Sequence, residues 1–486
     1  MRRGKLPSQW CRLRYEMRVV RFPEGTEVQQ LAQVASARGR QAYSHGPHPA
    51  LFHNASFLTV LLLIGRVATT RCLVIVGNMG GMVQRFFIPA VIGFAPLILF
   101  LLNWDAESMS PMARLLREFT VTVVAAELFT IAVALREGML AAWKSLRPPR
   151  PALIALAALL AIAIATAAFV APAPYAAAIR TGFWVMHLLF GFAVAFLCGR
   201  SFRSSDLVGA YLTGFVAFAV AFVVFAVGAM QRPIDWTWDL PSFSHIRHLG
   251  IYATPMIGFS IGIMATSRRR SAWAGAFLIA VCGFALALWT GSRGPVAAIA
   301  GTVIVGLLLS PAMRRPGAWA GAALSLAVAY LVVALLPVPA DNMGALRTIA
   351  ATTESGDMLT GRMTLWGLVL DAIRHQPLFG YGEGQMKAVA EFGRMAQPHN
   401  LVLQILLAWG IAGMLCALVL AFYFLRLAVP AVRDDPARVL PPLLAMTALL
   451  GLSMLDAALY HILPLSIFAA CAGMIAAGRR DEPGRG

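Results

Sequence analysis

The feature that most constrains this chain is a series of apolar stretches, each about 20 residues long, that recur over most of its length. Of its 486 residues 59% are hydrophobic and only 13% are charged. A soluble domain of this composition could not cover its surface with polar groups, whereas an apolar helix of this length spans a bilayer. We therefore expect an all-α, polytopic membrane protein.

Windows of apolar residues predict about twelve transmembrane helices. Nine of them lie within 83–337 and three within 399–478, and residues 338–398 form one long polar loop between the two groups. A connection of this length is unusual and indicates a functional segment. The predicted spans are 86–103, 119–135, 151–172, 182–198, 207–230, 248–266, 272–290, 294–311, 317–337, 400–425, 437–455 and 459–477.

Residues 1–82 form a basic, polar extension without the layout of a signal peptide. The apolar stretch at 57–76 contains Arg66 and Arg71, and two arginines in one span are costly, so we predict that it does not cross the membrane. We expect this extension to be disordered or to precede the natural start of the protein, at Met79 or Met82.

The formal net charge of +18 would suggest a nucleic-acid partner for a soluble protein. In a twelve-span arrangement, however, most basic residues fall in loops on one side, which the positive-inside rule assigns to the cytoplasm. Both termini, including the tail at 479–486, then lie in the cytoplasm, and we expect no nucleic-acid partner. The six cysteines are scattered and no His/Cys cluster has the spacing of a metal site, so we expect no metal and no cofactor.

The opposite side contains arginines that the charge rule does not explain. Arg247 directly precedes a span, and Arg293 lies in the Ser292-Arg293-Gly294 turn between two spans. A cation at a helix N-terminus is unfavourable unless an anion binds there. Binding of a phosphate group and simple snorkelling to the membrane surface are two alternatives for both arginines.

The long loop contains a second pattern. The spacing of Leu365, Trp366 and Val369 predicts an amphipathic helix, beginning near Arg362, that lies on the membrane or over the bundle. The glycine-rich stretch at 377–384 predicts a turn that returns the chain toward the bilayer. It does not indicate a phosphate loop, because no strand precedes it and the GK[ST] motif is absent.

The loop ends at His399, directly before a span. An imidazole in this position can cap an interfacial helix or can transfer a proton near neutral pH. Arginine forks suit diphosphate oxygens, so a histidine among several arginines is typical of group transfer from a phosphate-activated donor. Because no nucleotide is expected outside the cell, a lipid-linked diphosphate is the natural donor.

Three motifs together resemble the O-antigen ligase/O-antigen polymerase superfamily over residues 240–425. They are the turn Ser292-Arg293-Gly294, the segment from Arg362 to Trp366, and His399-Asn400 followed by Gly410 and Gly413. The resemblance implies a metal-independent, inverting glycosyltransferase in the bacterial inner membrane, with its active face in the periplasm.

The resemblance also implies a reaction: the transfer of a glycan from undecaprenyl diphosphate to an acceptor. In ligases this acceptor is the lipid A-core oligosaccharide. The resemblance implies His399 and Arg362 as the catalytic residues. Arg293 and Arg247 would then contact the diphosphate. Ser292, Gly294, Trp366, Asn400, Gly410 and Gly413 match the motif as supporting positions.

Other functions stay open. Within the superfamily, an O-antigen or exopolysaccharide polymerase and a protein O-oligosaccharyltransferase are alternatives, although one dominant loop and a short tail favour the ligase. A transporter or lipid-linked glycan flippase would place polar groups at mid-bilayer. Few ionisable residues lie inside the spans; we expect two of them, Glu127 and His187, to face the bundle interior and form a structural hydrogen bond.

Overall fold

The computed structural model describes residues 81–104, 120–143, 149–230, 234–238, 240–243, 245–340, 343–344, 362–389 and 396–477. This part of the chain is built from helices and contains no strand, which confirms the all-α prediction for it. The predictions for residues 1–80, including the stretch at 57–76, and for the tail at 479–486 lie outside the described residues.

The helices are numbered here in chain order. They are α1 (Gly81–Leu102), α2 (Val121–Arg136), α3 (Met139–Trp143), α4 (Arg150–Phe169), α5 (Pro174–Leu197), α6 (Ser204–Ala229), α7 (His248–Thr266), α8 (Arg270–Trp289), α9 (Gly294–Leu309), α10 (Pro316–Ala334), α11 (Arg362–His375), α12 (Met386–Val389), α13 (Leu401–Asp434), α14 (Pro436–Leu455) and α15 (Ile462–Ala476).

Each of the twelve predicted spans coincides with one of these helices. Among the described residues, nine helices are long and apolar enough to cross a membrane. The helices α2, α9 and α15 have 16, 16 and 15 residues and are shorter than an ordinary span. A multi-pass membrane protein is therefore supported, while the number of twelve crossings stays a prediction.

The centre of the bundle is the pair α7 and α14. Helix α7 is buried over nearly its whole length. A Cβ atom added at Gly262 would lie 2.4 Å from the Cα atom of Pro441, and one added at Gly258 would lie 2.7 Å from that of Ala445. Small residues let two helix backbones approach this closely. This pair positions the site, because α7 begins and α14 ends at the same end of the bundle.

Contacts between helix ends define that end, which we call the site end. A Cβ atom at Gly250, near the start of α7, would lie 3.2 Å from the Ser292 side chain in the turn before α9. At the end of α14, the carbonyl of Met454 accepts a hydrogen bond of 3.3 Å from Asn400. The loops that carry predicted outer-face residues therefore meet in space.

The opposite end, which we call the basic end, gathers residues from the loops predicted to be cytoplasmic. Arg85 pairs with Asp206 at 2.8 Å. Arg438 donates to the carbonyl of Met474 at 3.1 Å, and the Arg438 carbonyl contacts the Ser204 hydroxyl at 3.4 Å. The sorting of loops into two groups agrees with the sequence prediction; which compartment each end faces stays a prediction.

Glu127 and His187, each predicted to face the bundle interior and to make a structural hydrogen bond, bond to each other. The Glu127 Oε1 and His187 Nδ1 atoms are 2.9 Å apart, and both side chains are buried between α2 and α5. Ionisable residues inside a membrane bundle usually pair with one another in this way.

The predicted span at 400–425 is not one continuous helix. Helix α13 is broken at Gly410, whose φ of 63° and ψ of −165° are non-helical. At the break, the amides of Ile411 and Ala412 donate to the carbonyls of Pro377 and Leu378 at 2.8 and 3.1 Å. A break inside a membrane helix leaves backbone groups unpaired, and here the glycine-rich stretch satisfies them.

The same stretch bonds to the other side of the break. The amides of Tyr381 and Gly382 donate to the carbonyls of Leu407 and Ala408, both at 2.8 Å. Residues 377–382 therefore form an inserted segment rather than a simple surface turn. The prediction that this stretch returns the chain to the bundle is sharpened: it docks into the broken helix.

Helix α11 confirms the amphipathic helix predicted in the long loop. Leu365 and Val369 are buried and join a core cluster with Met386 and Leu407 of the bundle. Leu370 is exposed. The helix therefore packs over the bundle through one face, on top of α13.

Candidate functional site

The site is organised around a hydrogen bond between His399 and Asp456. The His399 Nδ1 and Asp456 Oδ1 atoms are 2.7 Å apart, although the two residues are 57 positions apart in the chain. Asp456 ends helix α14 in an extended conformation, and His399 lies two residues before α13. About a fifth of each side chain is exposed, so the pair is reachable from solvent.

Asp456 is held as a carboxylate. Burial alone would raise its pKa, but the hydrogen bond from His399 and the positive charge of Arg362 outweigh burial and keep the pKa well below its ordinary value. The Arg362 Nη2 atom lies 3.9 Å from Asp456 Oδ2, and the Ala457 amide donates to Oδ1 at 2.8 Å.

The charge of Asp456 fixes the tautomer of His399. A carboxylate can only accept, so the proton between the two residues must be on Nδ1 of the imidazole. The Nε2 atom of neutral His399 then carries a lone pair. A histidine oriented by a carboxylate in this way is arranged to accept a proton from a hydroxyl group.

The backbone of His399 is unusual, and the next residue, Asn400, holds the start of α13 in place. His399 has a φ of 52°, in the left-handed region that few non-glycine residues adopt. The Asn400 Oδ1 atom caps α13 by accepting from the Leu403 amide at 3.1 Å, and its Nδ2 atom reaches Met454 in the last turn of α14. Asn400 therefore ties the start of α13 to the helix that ends at Asp456.

Arg362 reaches the site because α11 is fastened to the residue before His399. The indole Nε1 of Trp366 donates to the Pro398 carbonyl at 2.9 Å. Arg362 is the first residue of α11, one turn before Trp366, and its side chain is 23% exposed. The structure thus brings together Arg362, His399 and the supporting residues Trp366 and Asn400.

Arg293 and Arg247 lie at the same end but on neighbouring helix starts. Arg293 directly precedes α9, and a Cβ atom at the adjacent Gly294 would lie 2.8 Å from Leu452, one turn before Asp456. Among the described residues, no carboxylate pairs with Arg293. Arg247 directly precedes α7, and its backbone amide donates to His245 Nδ1 at 3.0 Å. Both remain candidates for contact with an anion.

The Ser292 side chain forms a hydrogen bond within the turn between α8 and α9. Its hydroxyl lies 2.8 Å from that of Thr290, and Thr290 also donates to the carbonyl of Ala287. Neither hydroxyl caps α9. The turn is therefore stabilised by its own side chains, which leaves the start of α9 without a side-chain acceptor.

Two more histidines line this end. The ring centroids of His248 and His461 are 4.3 Å apart. Burial lowers the pKa of His461 to about 4, against a smaller opposing effect of Asp456. His461 is therefore neutral near pH 7 and adds no positive charge beside Asp456.

Sequence reasoning did not single out Asp456 as a site residue. The available signal was a lone carboxylate at a predicted helix end on the face that carries His399. Spacing along the chain could not pair them, because α13 and α14 separate the two residues.

These features describe a multi-pass helical membrane protein with a His-Asp pair and arginines at one end of the bundle. Residues 278–418 match the family model described as O-antigen ligase. The matched segment contains Arg293, Arg362 and His399, and it confirms the resemblance to the O-antigen ligase superfamily. A search of curated proteins gives no match to this chain.

Proposed function

We propose that this protein is an O-antigen ligase: a membrane glycosyltransferase that moves a glycan from undecaprenyl diphosphate to the lipid A-core oligosaccharide. The observation that carries the proposal is the His399–Asp456 pair beside Arg362. Of these residues, His399 and Arg362 lie inside the segment that matches the ligase family. In this proposal the site end faces the periplasm, where neither nucleotides nor ATP are supplied.

The proposed reaction is a single displacement. The Nε2 atom of His399 takes the proton of an acceptor hydroxyl, and the hydroxyl oxygen attacks the anomeric carbon of the donor sugar. The bond from that carbon to the diphosphate oxygen breaks with inversion, and undecaprenyl diphosphate leaves with the bonding electrons. Asp456 stabilises the imidazolium that forms, much as a carboxylate does in other histidine bases.

The arginines have the complementary role. Negative charge builds up on the departing diphosphate, and guanidinium groups fixed in a low-dielectric site stabilise such charge strongly. Arg362 lies beside Asp456, the partner of His399, and Arg293 and Arg247 offer two further cations at helix starts. No metal is required by this arrangement, because the arginines and helix N-termini supply the positive charge.

An O-antigen polymerase would use the same chemistry with a different acceptor, namely the growing glycan. The two functions separate in a strain that lacks this protein. For a ligase, we expect loss of all long-chain glycan on lipid A-core and accumulation of lipid-linked polymer. A cap of one repeat unit on lipid A-core would instead identify a polymerase. Electrophoresis and mass spectrometry of the extracted lipids give the readout.

The orientation is tested by cysteine labelling. Lys387 is exposed at the site end and Asp434 is exposed at the basic end. In intact spheroplasts, a membrane-impermeant maleimide is expected to label Lys387→Cys, and to label Asp434→Cys only after the membrane is permeabilised. The unsubstituted protein provides the background from native cysteines. The reverse pattern would overturn the orientation.

A further inference from the structure

A pocket beside His399 contains polar atoms that the proposed reaction does not use. Its walls come from residues 382–386, from residues 396–398 and from α13. Pro398, which directly precedes His399, lines it, as does Tyr460 from the turn after Asp456. The pocket therefore lies next to the His-Asp pair.

Two oxygen atoms in this pocket lack hydrogen-bond partners within the described part of the chain. One is Oε2 of Glu383, a side chain only 2% exposed, and the other is Oε1 of Gln397. Buried polar atoms are nearly always bonded, and an unmade bond is costly. The other Glu383 oxygen accepts from Gln404 at 2.8 Å, which fixes the orientation of the carboxyl group.

Neighbouring Gln385, in contrast, uses both polar atoms of its side chain in hydrogen bonds within the fold. Its Oε1 atom accepts from the Ala173 amide at 2.7 Å, and its Nε2 atom donates to the carbonyls of Ala173 and Glu383. Gln385 thus uses its amide to connect the chain just after the inserted segment to the start of α5. Glu383 and Gln397, which also line the pocket, each leave an acceptor oxygen without a hydrogen bond from the described residues.

Two unpaired acceptors require a ligand that donates hydrogen bonds. A cationic ligand is disfavoured, because the Arg180 side chain lies against Gly384 and its charge acts on Glu383. Burial also raises the pKa of Glu383, and a hydroxyl group can satisfy the carboxyl group in either protonation state. Neutral sugar hydroxyls fit these requirements.

We propose that this pocket binds non-reacting hydroxyl groups of the acceptor glycan next to His399. This inference rests on the proposed function. The acceptor is favoured over the donor because the pocket adjoins His399 through Pro398 and is lined by α13. Arg293 and Arg247, the proposed diphosphate contacts, adjoin α7 and α14 instead.

The test is steady-state kinetics of the purified full-length protein. The donor is lipid-linked glycan extracted from native membranes, and the acceptor is lipid A-core from a strain that lacks this protein. Glu383→Gln replaces the unpaired carboxyl oxygen by an amide donor with almost no change of shape, and Gln397→Met removes the second acceptor. For each, we expect the KM for the acceptor to rise about tenfold or more, with kcat and the KM for the donor nearly unchanged.

A matched control is Glu137→Gln, the same substitution on an exposed residue at the basic end, which is expected to leave all constants unchanged. An unchanged acceptor KM in both pocket variants would overturn the inference, and a rise in the donor KM alone would assign the pocket to the donor. If Glu383→Gln does not fold, Gln397→Met decides, because its oxygen makes no bond in the native structure.

Failure of the proposed function gives a different result. In that case the unsubstituted protein itself transfers no glycan to lipid A-core, whatever residue stands at 383. If the unsubstituted protein is active and both variants match it, only the assignment of the pocket fails.

Discussion

His399→Ala is expected to lower the rate of glycan transfer by about 100- to 10,000-fold, the range over which a positioned base contributes to catalysis. The substitution removes the lone pair that takes the proton of the acceptor hydroxyl. It also removes the hydrogen bond that His399 donates to Asp456. Transfer by purified protein in EDTA and without ATP is the measurement, since the proposed mechanism needs neither a metal nor a nucleotide.

The controls for this prediction come from the same region. His375→Ala changes an exposed histidine at the end of α11, whose ring bonds to the Asp371 carbonyl one turn earlier in the same helix, and it should keep the native rate. Asp456→Asn and Arg362→Ala should each reduce transfer strongly, because the first disturbs the tautomer of His399 and the second removes a cation. Native rates in His399→Ala would refute the catalytic role.

The positions of the helices could be predicted because the bilayer requires long apolar segments, and each predicted span coincides with a helix. The site end could be predicted in outline for a related reason. Basic residues collect on one side of the membrane, so arginines on the other side stand out. The spacing of Leu365 and Val369 was sufficient to predict α11, because residues four positions apart lie on the same face of a helix and are buried together.

Pairing across helices could not be predicted in the same way. Nothing in the local sequence joins His399 to Asp456, because their contact depends on how α13 and α14 pack. Glu383 was hidden in a glycine-rich stretch that sequence reasoning explained as a turn. Its burial results from the docking of residues 377–382 into the break of α13. Both features depend on tertiary contacts between distant segments.

The second large effect concerns that break. At Gly410 the backbone adopts a conformation that is almost restricted to glycine, and an added Cβ atom would lie 2.3 Å from the backbone carbon and oxygen of Leu378. Gly410→Ala must therefore push the inserted segment away from α13. This segment joins α11 to the pocket, so Arg362 should lose its position relative to His399.

We expect Gly410→Ala to reduce transfer at least about tenfold and to destabilise the protein by about 2–4 kcal/mol, from backbone strain and steric overlap together. The thermal midpoint in detergent and the transfer rate are measured together. The control is Gly301→Ala in α9, where an added Cβ atom meets no atom within 4 Å and alanine favours the helix. If Gly410→Ala resembles Gly301→Ala in both measurements, the docked segment does not hold the site together, and the glycine at this position needs another explanation.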